Sequence, residues 1–151
     1  MMRIYVDTSV FGGCHDPEFK ESSRSLVEEF RNGLKVALIS DLTLKELEKA
    51  PLDIRTLVEE MPKDYVEYVI LDNEAVDLAF KYIKEGAVTE SYLVDAQHIA
   101  MATIKRVDVL VSWNFKHIVN LTRIRLYNSV NLKNGYPLLE IRSPQEVLYE
   151  K

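Results

Sequence analysis

Three short apolar runs do most to limit what this chain can become: RIYVD at 3–7, KVALIS at 35–40 and DVLVS at 108–112. Each is nearly continuous in apolar residues instead of alternating them with polar ones. Strands of that kind suit a sheet covered on both faces, as in parallel α/β folds. Segments of helical periodicity separate them. Residues 22–32 carry Leu26, Val27 and Phe30, with Gly33 as the stop. Residues 41–49 carry Leu42, Leu44 and Leu47; 73–85 carry Ala75, Leu78, Ala79 and Tyr82; 92–105 carry Ala96, Ile99 and Ala100. A further helix is expected over 119–134, ended by Gly135. At 143–146, SPQE opens a last one, with Ser143 as cap, Pro144 at the first position and Glu146 reaching back. Residues 65–71 and 137–141 are weaker strand candidates. The glycines and prolines fall where elements should break, and no repeat or linker divides the chain. One α/β domain over 1–151 is expected, with a central, mostly parallel sheet, right-handed crossovers and helices on both faces.

Ligands of such sheets bind beyond the carboxyl ends of the strands. The first run ends on Asp7, followed by Thr8 and Ser9; the second ends on Ser40, with Glu46 in the helix after it. The third ends on Ser112, followed by Trp113 and Asn114, and Asp95 opens the helix that precedes it. Asp7, Glu46, Asp95 and Asn114 thus come from separate segments and can converge at one edge. Several carboxylates in one cleft need a cation or a proton between them. An all-oxygen donor set suits hard ions such as Mg²⁺ or Mn²⁺, and metal-assisted phosphodiester hydrolysis is the chemistry those ions serve. Each residue also has a plainer reading. Asp7 could cap the next segment, Glu46 could close a capping box with Thr43, Asp95 could favour a helix dipole, and Asn114 could shape a turn.

Charge and cysteine content narrow the field. Nineteen basic against 24 acidic residues give −5, which disfavours a protein that only grips nucleic-acid backbone but leaves a metal nuclease open. No apolar run approaches the roughly 18 residues that span a bilayer, and Asp7 interrupts the one apolar stretch that could serve as a signal peptide. The single Cys14 rules out an internal disulfide and fits a reducing cytoplasm. No G-x-G-x-x-G follows the first strand, so a dinucleotide site is unsupported, and an aspartyl-phosphate mechanism lacks its second aspartate because Ser9 stands there.

Three stretches taken in order, IYVDTSVF at 4–11, ISDLTLKELEKA at 39–50 and DAQHIAMATIKRVDVLVSWNFKHIVN at 95–120, resemble the PIN-domain nucleases, in particular the small VapC-like toxins of type II toxin–antitoxin pairs. The resemblance implies a divalent-metal-dependent endoribonuclease with Asp7 and Asp95 as main metal ligands and Glu46 as the third acid. It implies RNA as substrate, an antitoxin as partner and a homodimer. Asn114 stands where the family often has Asp, and Lys116 where a further acid sometimes occurs, so the site has three carboxylates. That departure supports the alternative of a catalytically weak or inactive RNA-binding module on the same fold.

Around these residues, Thr8, Ser9 and Ser112 are candidate donors to the ligands. Lys116 and His117, with Arg123 and Arg125 further on, could meet substrate phosphates. Trp113 reads as packing beneath its loop before it reads as a base-stacking ring, and His98 as a hydrogen-bonded structural group before a ligand. Apolar Ile54, Leu57 and Met61 could face a partner.

Overall fold

Successive residues of a strand point to opposite faces of its sheet, and in the three central strands both faces are buried. The computed structural model describes residues 1–148, so the last three residues of the domain expected over 1–151 lie outside it. Among the described residues, five strands, β1 (Arg3–Val6), β2 (Val36–Ser40), β3 (Val66–Val69), β4 (Val109–Val111) and β5 (Ile141–Arg142), pair in the order β3-β2-β1-β4-β5. Every pairing is parallel. The helices are α1 (Thr8–Gly13), α2 (Lys20–Arg31), α3 (Asp41–Leu47), α4 (Leu52–Glu59), α5 (Asn73–Lys84), α6 (Leu93–Ile104), α7 (Leu121–Lys133) and α8 (Pro144–Val147).

Ile4, Val6, Ala37, Ile39, Val109 and Val111 share one core with residues of α1, α2 and α4, including Val10, Phe11, Leu26, Phe30 and Ile54. Tyr5, Leu38 and Leu110 share the other with Leu78 and Tyr82 of α5, Ile99 of α6 and Tyr127 of α7. The continuous apolar runs are therefore two interleaved stripes. From β1 the chain moves outward to β2 and β3, then crosses back through α5 and α6 to β4 on the other side of β1. Strand order reverses between β1 and β4, and the crevice for a ligand opens at their carboxyl ends. Asp7 N–H donates to the Val111 carbonyl at 3.1 Å, which ties the two strand ends together.

Several expectations change. Gly12 and Gly13, expected as a break, form the last turn of α1. The strand expected at 137–141 is only Ile141–Arg142. Ile54 and Met61 are buried in the chain's own core, so they do not offer a face to a partner, while Leu57 packs against that core and is half-buried. The turn signals hold: Gly33, just past α2, has a φ of 70°, and Ser143 and Glu146 make the reciprocal capping box of α8.

Gly13 is required by a close approach. A Cβ there would stand 2.5 Å from Ser23 Oγ and 2.8 Å from Trp113 Nε1. It would wedge apart the bond in which Trp113 Nε1 donates to Ser23 Oγ at 2.8 Å. Gly13→Ala is expected to cost about 1–3 kcal/mol, the usual penalty of overpacking. A urea titration checks it, and an unchanged midpoint would mean that the indole moves aside freely.

Candidate active site

Asp7 is the residue at which β1 stops and α1 starts. It occupies the N-cap position of α1, yet its side chain makes no capping bond. Instead its Oδ2 accepts from Ser9 Oγ at 2.7 Å and from Ser112 Oγ at 2.8 Å. Each hydroxyl is itself fixed by the loop after β4: Ser9 Oγ accepts from Trp113 N–H and Ser112 Oγ from Asn114 N–H. Asp7 is only 6% exposed, and its other oxygen, Oδ1, lies 3.8 Å from His98 Nε2.

Glu46 reaches this point from α3. The helix starts with Ser40 as cap, its Oγ accepting from Thr43 N–H. Glu46 does not turn back to close a capping box; its Oε1 accepts from Thr8 Oγ1 at 3.0 Å and pairs with His98 Nε2 at 2.9 Å. Asp95 enters from the first turn of α6, and its Oδ2 accepts from Asn114 Nδ2 at 3.3 Å. Asn114 also performs the turn role, its Oδ1 accepting from the backbone of Lys116 and His117. The four residues singled out in the sequence thus join one network, with Thr8, Ser9 and Ser112 as its hydroxyl links.

His98 is the hub that spacing alone did not reveal. It is buried, with Nε2 on Glu46 and Nδ1 2.6 Å from Tyr5 Oη. Burial works against its charge, but the hydrogen bond to Glu46 and the charges of Asp7, Glu46 and Asp95 outweigh it, so its pKa is raised. In the imidazolium form both ring nitrogens would donate, one to Glu46 and one to Tyr5. The same bond chiefly holds the Glu46 carboxyl below its ordinary range, against the opposing effect of burial. Asp95 goes the other way. Desolvation, then the charge of Asp7, pushes its pKa up to about 6.

The donor set is one that would accept a divalent ion. One oxygen of each carboxylate is anchored, while Glu46 Oε2 and Asp95 Oδ1 make no hydrogen bond among the described residues. Among the described residues, no three His, Cys, Asp or Glu groups stand ready-made around one ion. Mg²⁺ needs only one or two carboxylates, keeping waters and substrate phosphates in its other positions. Asp7 and Asp95 are the carboxylates that could supply it, with Glu46 as a further acid of the same network. A cleft of about 720 Å³ opens beside them, lined by Leu42, Lys45, Glu46, Lys49, Tyr92 and Asp95 among others.

The basic residues divide. Lys116 is exposed. Arg123 is committed to the fold, donating to the Ala87 carbonyl at 2.9 Å. His117 is buried and stacked on Tyr92, with centroids 3.5 Å apart, and its Nδ1 has no hydrogen-bond partner among the described residues. Its ring belongs to the loop's packing and stays off the carboxylates.

No family model matches the chain, and no curated protein matches it either. Solved structures do. A Mycobacterium tuberculosis VapC20, described as a Sarcin-Ricin loop cleaving toxin, aligns over 91% of this chain and 98% of its own at 14% identity, with a TM-score of 0.58. A toxin–antitoxin complex from Klebsiella pneumoniae aligns over 98% and 99% at 16% identity and a TM-score of 0.57. VapBC2 from Rickettsia felis, solved with a DNA fragment from its promoter, aligns over 94% and 98% at 12% identity and a TM-score of 0.57. The fold of this chain is the PIN-like α/β fold of VapC toxins.

Proposed function

We propose that the chain is a divalent-metal-dependent endoribonuclease, the toxin of a toxin–antitoxin pair restrained by an antitoxin protein. The observation that carries this is the gathering of Asp7, Glu46 and Asp95 at the switch-point end of β1 and β4, where burial and then the charge of Asp7 disfavour the ionised form of Asp95. Asp7 and Asp95 would hold Mg²⁺ or Mn²⁺. When bound, such an ion polarises a phosphoryl oxygen and lowers the pKa of coordinated water. Ser9 and Ser112 fix the rotamer of Asp7. His98, braced by Tyr5, keeps Glu46 ionised and oriented, leaving Oε2 to accept from an attacking water. Lys45 and Lys49 on the cleft wall, and exposed Lys116, are suited to substrate phosphates.

The fold-level likeness to a Sarcin-Ricin loop cleaving toxin and to toxin–antitoxin complexes supports RNA as substrate and an antitoxin as partner. A reducing cytoplasm suits the buried, unpaired Cys14, and among the described residues no helix is long and apolar enough to cross a membrane. The test is incubation of the purified protein with total RNA in Mg²⁺, Mn²⁺ or EDTA. Cleavage that EDTA abolishes and either ion restores is the expected result; no metal-stimulated cleavage of any RNA would sink it. A second reading, a non-cleaving RNA-binding module, draws on Asn114 and Lys116, which take positions that are often acidic in the family the sequence resembles.

A further inference from the structure

Three aromatic rings stand beside the acidic network. Phe19 and Trp113 stack with centroids 4.2 Å apart and an interplanar angle of 17°. Phe115 meets both obliquely, 6.0 Å from Trp113 at 65° and 6.2 Å from Phe19 at 55°. Trp113 is the fixed member. Its Nε1 donates to Ser23, its backbone N–H donates to Ser9 Oγ, and Ser9 holds Asp7. Phe115 is the open member, 49% exposed. It lies directly between Asn114, which donates to Asp95, and exposed Lys116.

We propose that Phe115 is a stacking platform for an unpaired base of the RNA, next to the phosphate that the acidic network acts on. The inference rests on the nuclease reading and names how that site would hold its substrate. Every base has a π-face, and aromatic stacking next to a cationic side chain is the usual way single strands are gripped without sequence readout. A ring braced by two others loses little rotamer freedom when a base lands on it. An apolar peptide would want a broad apolar patch. Phe115 offers one ring flanked in sequence by an amide and an ammonium, which fits a base followed by a phosphate. Trp113, the aromatic residue the sequence brings to notice, is the support and not the contact.

The probe is a fluorescein-labelled pool of random 12-residue single-stranded RNA, its affinity read by anisotropy in Ca²⁺ to slow cleavage. Wild type is compared with Phe115→Ala, Phe115→Leu and Phe115→Trp, all of them at an exposed position where the core is undisturbed. Loss of one base–aromatic stack should weaken Phe115→Ala and Phe115→Leu about 5- to 100-fold, with Phe115→Trp at wild-type affinity or tighter. A purely packing role would leave Phe115→Leu near wild type. Equal affinities across the set overturn the platform while leaving the nuclease reading intact. Wild type that binds no RNA overturns both. If RNA affinity is unchanged and Phe115→Ala instead loses a co-expressed partner protein, the loop is a protein-docking surface and the inference fails.

Discussion

Asp7→Asn is expected to slow metal-dependent RNA cleavage by about 10³-fold, the several kcal/mol that a metal's charge stabilisation represents, while the protein stays folded. The substitution is close to isosteric. Oδ2 accepts from Ser9 and Ser112, and an amide oxygen can take over both bonds. The change removes only the charge and one acceptor, at a site only 6% exposed. Stability should move by no more than about 1 kcal/mol. Gel-based cleavage assays on purified protein, paired with thermal melts, check both halves. Cleavage within tenfold of wild type would show that Asp7 holds no essential ion. If neither variant nor wild type cleaves and both bind RNA alike, the non-cleaving module is the correct reading.

Asp95→Asn should show the opposite pairing: lost cleavage together with a gain in stability. Its carboxyl titrates near pH 6, above the 3.8 of an ordinary aspartate, because burial and the charge of Asp7 disfavour the ionised form. In the metal-free protein this ionisation therefore costs folding stability. The cost is absent below about pH 4, grows between pH 4 and 6, and is complete above that. Solvent screening at this half-buried group limits it to about 1–2 kcal/mol. Removing the charge in EDTA at pH 7 should raise Tm by roughly 2–8 °C for a chain of this length, and the gain should vanish at pH 4. A lower Tm at pH 7 would mean that His98 and Asn114 more than compensate the acidic neighbours. Strain of this kind, relieved by a cation, is how a site can favour function over stability.

Much of the fold could be read from local pattern. The three apolar runs gave β1, β2 and β4 because a parallel strand buried on both faces has nowhere to put a polar residue. Gly33 and the Ser143–Glu146 box work through their own backbone neighbourhood, so they too were legible. Helix α1 was not. Gly12 and Gly13 read as a break, but tertiary packing overrides weak propensity, and Gly13 is small so that Trp113 can lie across it. Ile54 and Met61 read as free apolar positions because periodicity marks an apolar face without saying what covers it.

The candidate site divides along the same line. Sequence by itself determined that Asp7 closes a buried strand, that Asp95 opens an apolar helix and that Ser112 and Asn114 follow another strand. These are facts of position along one element. Only the tertiary structure decided what those groups do to one another: that Ser9 and Ser112 share Asp7, that His98 joins Glu46 to Tyr5, and that Phe115 is more open to solvent than half-buried Trp113. Residues 7 and 112, or 46 and 98, meet because the sheet order reverses beside β1. The strength of charge and hydrogen bonding depends on distance and burial through space, which no local pattern encodes.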